Sequence, residues 1–171
     1  MTPSLEAKLV AKYPEIFKDY KGDPSKTCMA YGIAVGDGWF DLIDTMCEEL
    51  TRSLKSAEFH LKRLKLYQPT SLEKIALQEK KVEKERSLVP VAAQVKEKFG
   101  GLRFYVEEGT QEHYAIIGFA ENISYKLCEE CGNKGKLYTL GWHKTLCPDH
   151  ALKQYGQEAM DKLLTQVVLP K

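Results

Sequence analysis

The sequence predicts an α+β fold: a small mixed core, a long helical hairpin arm and a C-terminal treble-clef-like zinc module. Three observations carry that expectation. A Cys/His quartet with metal-ligand spacing lies at 128–150, an apolar seam runs from Ile43 to Leu64, and an alternating segment surrounds Gly100-Gly101. The expected division is 1–50 with 89–126 as core, 51–88 as arm, and 127–171 as zinc module with a C-terminal helix. A chain of 171 residues, 43% hydrophobic, has enough apolar material for a true core.

From the N-terminus, Leu5, Leu9, Tyr13, Ile16 and Phe17 follow a helical period, with Pro3 and Pro14 near its ends. Lys21 to Ser25 has loop composition, and Cys28 to Val35 suits a short buried strand ending at the turn Gly36-Asp37-Gly38. A long helix is expected next, with Asp37 as its cap and Asp41 and Asp44 at its positive end. Its seam, Ile43, Cys47, Leu50, Leu54, Ala57, Leu61 and Leu64, has coiled-coil spacing. Gln68-Pro69-Thr70-Ser71 breaks it. Ser71 can cap a second helix over 72–87, whose seam reads Leu72, Ile75, Glu79, Val82, Arg86. The two helices predict an antiparallel arm.

Residues 91–106 admit a helix from Pro90 to Phe99 capped by Gly100, or a hairpin turning at Gly100-Gly101. The hairpin is preferred because it divides the residues cleanly. Val95, Phe99, Leu102, Phe104, Val106 and a lone Glu97 fall on one face, and Lys96, Lys98, Arg103 and Tyr105 on the other. Residues 112–127 read as a helix with Ile116, Ile117, Ala120, Ile123 and Leu127 inward.

Cys128, Cys131, Cys147 and His150 form the pattern C-x2-C-x15-C-x2-H, which offers zinc four soft or borderline donors in two close pairs. Residues 136–140 and 142–146 flank Gly141 as a short hairpin, and Pro148 suits the first turn of a helix capped by Cys147. Knuckle, hairpin and helix make the treble-clef order. Four protein ligands close the coordination sphere, so the Zn2+ is expected to be structural. His143 is the nearest competing ligand. Cys47 reads as core, and Cys28 has no evident partner.

A second constellation surrounds the glycine turns. Trp39 could stack on a planar ligand and Asp37 bond to it, or the two could be a core aromatic and a cap. Lys98 opposite Arg103 would place like charges side by side, which calls for a compensating acid or an anionic ligand. The candidate ligand-binding residues are therefore Asp37, Trp39, Lys98, Arg103 and Tyr105.

Charge is segregated. Residues 1–50 carry 5 basic and 9 acidic side chains, 51–100 carry 12 and 6, and 101–150 carry 5 and 7, inside a total of only +1. That total excludes a generally basic nucleic-acid coat. No phosphate-cradling glycine loop, nucleophile elbow or paired-histidine protease motif occurs, so the chain is expected not to be an enzyme. No run of about 18 apolar residues occurs, the first residues lack a secretory pattern, and the odd cysteine count fits a reducing compartment. Cytoplasm is the expected location and no membrane the expected partner.

Gly36-Asp37-Gly38-Trp39-Phe40-Asp41-Leu42-Ile43, the stretch Gln94 to Tyr105, Ala120-Glu121, Cys128 to Gly132, Gly141-Trp142 and Thr145-Leu146-Cys147 together resemble a family of small uncharacterised proteins of tailed bacteriophages and prophages. The resemblance covers roughly residues 28–150, with 51–88 as its most variable part. It implies an accessory phage protein acting in the cytoplasm of a bacterial host. On this footing the first expectation is a non-enzymatic binding protein for counter-defence or host takeover, recognising an anionic ligand such as a signalling nucleotide, or a host protein. The alternatives are a zinc-containing nucleic-acid-binding module, which ranks behind it, and an interaction adaptor that forms homo-oligomers through residues 43–87.

Overall fold

The computed structural model describes residues 1–66 and 71–161. It is α+β, with the predicted core, arm and Cys/His module. The break foreseen at Gln68-Pro69-Thr70 lies outside the described residues, as does the end of the C-terminal segment from 162.

Helix α1 spans Pro3–Lys12, with proline in its first turn. It stops short of the expected Phe17 because Tyr13 precedes Pro14, and a residue before proline is driven out of the helical region; Tyr13 sits at φ −132°, ψ 61°. Ile16 and Phe17 stay fully buried in the turns that follow. Glu6, also buried, accepts hydrogen bonds from Tyr20 Oη at 2.6 Å and from the Ile33 amide at 3.3 Å. A carboxylate taken from water needs such donors.

The expected strand 28–35 is mostly a 3-10 turn, Cys28–Tyr31, leaving only β1, Ile33–Ala34. Strand β1 pairs parallel with β2 (Ala92–Lys98), and β2 pairs antiparallel with β3 (Gly101–Val106). The sheet order is therefore β1-β2-β3. Helix α5, Gln111–Ser124, covers the free edge of β3. The outward amides of Leu102 and Phe104 donate to Ser124 Oγ and Glu121 Oε1, each at 2.9 Å. That satisfies and blocks an edge otherwise open to another strand. On α5, Ile117, Ala120 and Ser124 are buried, a narrower inward face than the expected one.

The long central helix is two helices. Helix α2 spans Phe40–Leu50 and α3 spans Arg52–Leu66. Between them Thr51 Oγ1 donates to the Cys47 carbonyl at 2.9 Å, a side-chain bond that competes with the helical ladder. The apolar seam still runs through both helices, with Ile43, Cys47, Leu50, Leu54 and Ala57 buried. Helix α4, Leu72–Ser87, returns antiparallel to α3 and is capped by Ser71, whose Oγ accepts from the Lys74 amide. Its inner face departs from the expected one. Val82 is buried and Ile75 half-buried, but Leu72, Glu79 and Arg86 face solvent, while Gln78 donates to the Ala57 carbonyl at 2.8 Å.

The hairpin exists, with its turn one residue earlier than expected. Lys98 pairs with Gly101, Glu97 with Leu102, Lys96 with Arg103 and Val95 with Phe104. Phe99 and Gly100 form the turn, at φ 55° and 77°. The two faces keep their composition except that Phe99 leaves the apolar face for the exposed tip, and Lys96 replaces Lys98 as the partner of Arg103. Val95, Leu102 and Phe104 join Trp39, Ile43, Tyr13 and Phe17 in the main core.

Candidate metal centre and cationic face

Strands β4 (Lys136–Tyr138) and β5 (Lys144–Leu146) form the second hairpin, shorter at its turn end than expected. Helix α6 spans Pro148–Tyr155 with Cys147 at its N-cap and proline in its first turn. The Cys128–Gly132 knuckle is closed by the Gly132 amide donating to the Cys128 carbonyl at 2.8 Å. Together these elements bring one donor atom from each of Cys128, Cys131, Cys147 and His150 within 4.8 Å of one another. Cys131 Sγ and Cys147 Sγ are 3.8 Å apart, and His150 Nδ1 lies 3.4 Å from Cys128 Sγ and 3.2 Å from Cys147 Sγ. Zinc–sulfur bonds of about 2.3 Å at a tetrahedral angle put two sulfurs about 3.8 Å apart, so the donor set fits a tetrahedral ion. The His150 amide hydrogen bond lowers the Cys147 thiol to about 7, favouring the thiolate that binds metal. His143 is outside this group; its ring lies 6.1 Å from that of Phe99.

The glycine turns, candidates by sequence for ligand contact, instead lock this module to the core. The Gly36 amide donates to Glu129 Oε1 at 3.0 Å and the Gly38 amide to the Glu129 carbonyl at 2.8 Å. A Cβ on Gly38 would lie 2.3 Å from both the Cys128 carbonyl oxygen and the Gly132 nitrogen, so only glycine allows the two backbones to touch. Trp39 is fully buried, and its indole N–H donates to the Leu127 carbonyl at 2.9 Å. Of the two readings of this turn, Trp39 takes the core one and Asp37 takes neither. Trp39 has no free ring face for a ligand. Asp37 caps no long helix and instead accepts from the Thr2 amide at 2.6 Å.

The other glycine turn is the second lock. Thr145 Oγ1, buried, donates to the Gly100 carbonyl at 2.6 Å, and a Cβ on Gly101 would meet the Tyr125 ring at 2.3 Å. Glu97, the lone acid on the apolar face, joins the tips: Oε1 accepts from the Gly100 amide at 2.6 Å and Oε2 from the Trp142 indole at 3.3 Å. Glu129 has a buried second oxygen, Oε2, without a partner, and burial raises its carboxyl above the usual range.

Lys98, Arg103 and Tyr105 remain together on the outer hairpin face, joined by Lys96, which the candidate site had omitted. No acid faces them from Gln94 or Gly101. Arg103 donates to Tyr125 Oη at 2.9 Å and to its neighbour's carbonyl, Leu102 O, at 2.6 Å. Lys96 lies over the Tyr105 ring at 5.6 Å and Lys98 over the Phe99 ring at 5.4 Å. A compensating acid is present in part: Arg103 is held by the Tyr125 hydroxyl and favoured by the charge of Glu121 on α5, whereas Asp44 of the acidic N-terminal third pairs with Lys12 at 2.8 Å.

Cys47 is fully buried, and burial pushes its thiol up; Cys28 is exposed. No helix among the described residues is long and apolar enough to cross a membrane. No protein-family model, curated protein or solved structure matches this chain. Function is therefore read from its own residues.

Proposed function

We propose that this chain is a non-enzymatic binding protein that presents a cationic hairpin face to an anionic ligand, on a scaffold fastened by a structural zinc ion. The observation that carries the reading is the grouping of Lys96, Lys98 and Arg103 on one open sheet face beside Tyr105, with no acid among the six residues of that face. Like charges on neighbouring strands weaken a sheet, and an anion offsets the repulsion. Tetrahedral zinc held by Cys128, Cys131, Cys147 and His150 has no open position, which supports a structural rather than a catalytic metal. With the resemblance to phage and prophage proteins, the reading becomes an accessory protein that acts on a bacterial host by capturing an anionic host component, nucleotide or polyanion.

Isothermal titration with linear nucleotides, cyclic nucleotides and inorganic polyphosphate tests it, against Lys98→Gln and Arg103→Gln. Heat that the wild type shows and both variants lose is expected; no heat from any anion overturns it. Metal analysis should find one zinc per chain. A second reading is self-association through the arm, favoured by Phe59, Leu66, Leu72 and Leu77, which are 60, 68, 83 and 70% exposed. Light scattering that shows a monomer removes it.

A further inference from the structure

We infer that the cationic hairpin face continues over the two hairpin tips as a stacking platform for single-stranded nucleic acid, a reading that rests on the anion-binding face and names its ligand. Three observations converge on it. First, cations and rings alternate along the face: Lys96 over Tyr105, Arg103 over Tyr125 and Lys98 over Phe99, at 5.6, 5.9 and 5.4 Å. From the Gln94–Tyr105 row to the turn is five residues, about 17 Å of strand, enough for a strand of several nucleotides rather than one anion. A charged groove that tracks phosphates beside rings that take bases is the chemistry of sequence-tolerant single-strand binding.

Second, Phe99 is in the wrong place for folding. It occupies the first position of a turn that requires positive φ at both central residues, where asparagine or glycine is favoured and a bulky side chain is strained. The residue is 61% exposed, so burial in this chain returns little for that strain. Strain held at an exposed aromatic points to a use outside the fold.

Third, the ring at the other tip is displayed in the same way. Trp142 follows Gly141, is 73% exposed, and has the one polar atom of its side chain tied to Glu97. The indole face is left for a planar partner. Thr145 and Glu97 fasten the two tips together, and His143 sits against Phe99, so Phe99, His143 and Trp142 form one surface. Base stacking on such rings is indifferent to sequence, because every base has a π-face.

The test uses the full zinc-loaded chain and fluorescence anisotropy with oligothymidylate of about 15 nucleotides, a range that one binding face can cover. An abasic strand of the same length, a duplex and inorganic polyphosphate are the competitors. The expected result is binding to oligothymidylate that falls steeply with salt, with the abasic strand and the duplex each weaker by about tenfold or more. Phe99→Asn should weaken strand binding about tenfold while leaving Tm unchanged or higher, because asparagine suits the turn. Trp142→Ala should also weaken it about tenfold, with only a small fall in Tm because the exposed bond to Glu97 goes with the ring. Equal affinity for the abasic strand, or for polyphosphate, overturns the stacking platform and leaves the anion-binding face standing. Tighter binding of duplex also overturns it. Absence of binding to every polyanion overturns both readings.

Discussion

The Cys/His module and the helical arm are both excursions from one α+β core, and they are attached to it by opposite means. The module is held at the core's backbone: two glycine turns press against it, the Gly36 and Gly38 amides donating to Glu129 and the Gly100 carbonyl accepting from Thr145. The arm is held by side chains. Among the described residues of α3 and α4, Leu54, Ala57 and Val82 are buried, and Arg86 bridges the arm to Glu15 while also meeting Glu58 within it. Backbone contact at a distance that excludes a Cβ tolerates almost no change, whereas exposed ion pairs contribute about 0–1 kcal/mol each. The module therefore belongs to the folding unit, and the arm is free to vary.

Metal removal tests this contrast most severely. Structural zinc contributes on the order of 10 kcal/mol to modules of this kind. Chelation, or Cys147→Ser, should release zinc and lower Tm by about 10 °C or more. Because the tips and the Gly36–Trp39 turn rest on the module, near-ultraviolet circular dichroism from Trp39 should change as well. A chelated chain with unaltered Tm would show that the core holds the module without metal.

The next effect is Gly38→Ala. The added Cβ meets backbone on both sides, the Cys128 oxygen and the Gly132 and Cys131 nitrogens, and backbone cannot swing aside as a side chain can. A loss of about 3 kcal/mol in urea unfolding, with weaker zinc retention, is expected. Gly141→Ala is its control: nothing lies within 4 Å, so only the left-handed conformation is strained, at about 1 kcal/mol. Equal losses at the two sites would break the claim that contact, rather than conformation, holds the module. Trp39→Phe should cost about 2 kcal/mol, since it leaves the Leu127 carbonyl without its donor.

What could be read from the sequence and what could not divides along range. The Cys128–His150 quartet is legible because metal ligation imposes local spacing, and the hairpin faces because alternation survives a shift of the turn. The turn falls one residue earlier than its sequence suggests because Gly100-Gly101 has turn chemistry, whereas Gly101 is needed for the Tyr125 ring that packs against it. The break at Thr51 is hidden by a seam that runs straight through it. The role of the Gly36–Trp39 motif depends on Glu129 and Leu127, some ninety residues away, and no pattern around Trp39 announces them. Sequence marked that motif as special and could not say that its partner was the metal knuckle.

The smallest effect is expected in the arm, and it sharpens the contrast from the other side. Arg86 is 46% exposed and joins Glu15 in the turns after α1 to Glu58 on α3, so it is a polar tie at the base of the arm, beside Lys55, which meets Glu48 and the Tyr13 ring. Arg86→Ala should cost no more than about 1 kcal/mol, and less as salt is raised, because the pairs are open to solvent. Lys65→Ala, which removes the exposed pair with Glu79 farther out, should cost less still, about 0.5 kcal/mol or below. Hydrogen exchange separates the two. Arg86→Ala should speed exchange along α3 and α4 while amides in the knuckle, Cys128 and Gly132 among them, keep their protection and zinc stays bound. If the knuckle loosened together with the arm, the two would be one cooperative unit, and the difference in how they are fastened would carry no energetic meaning.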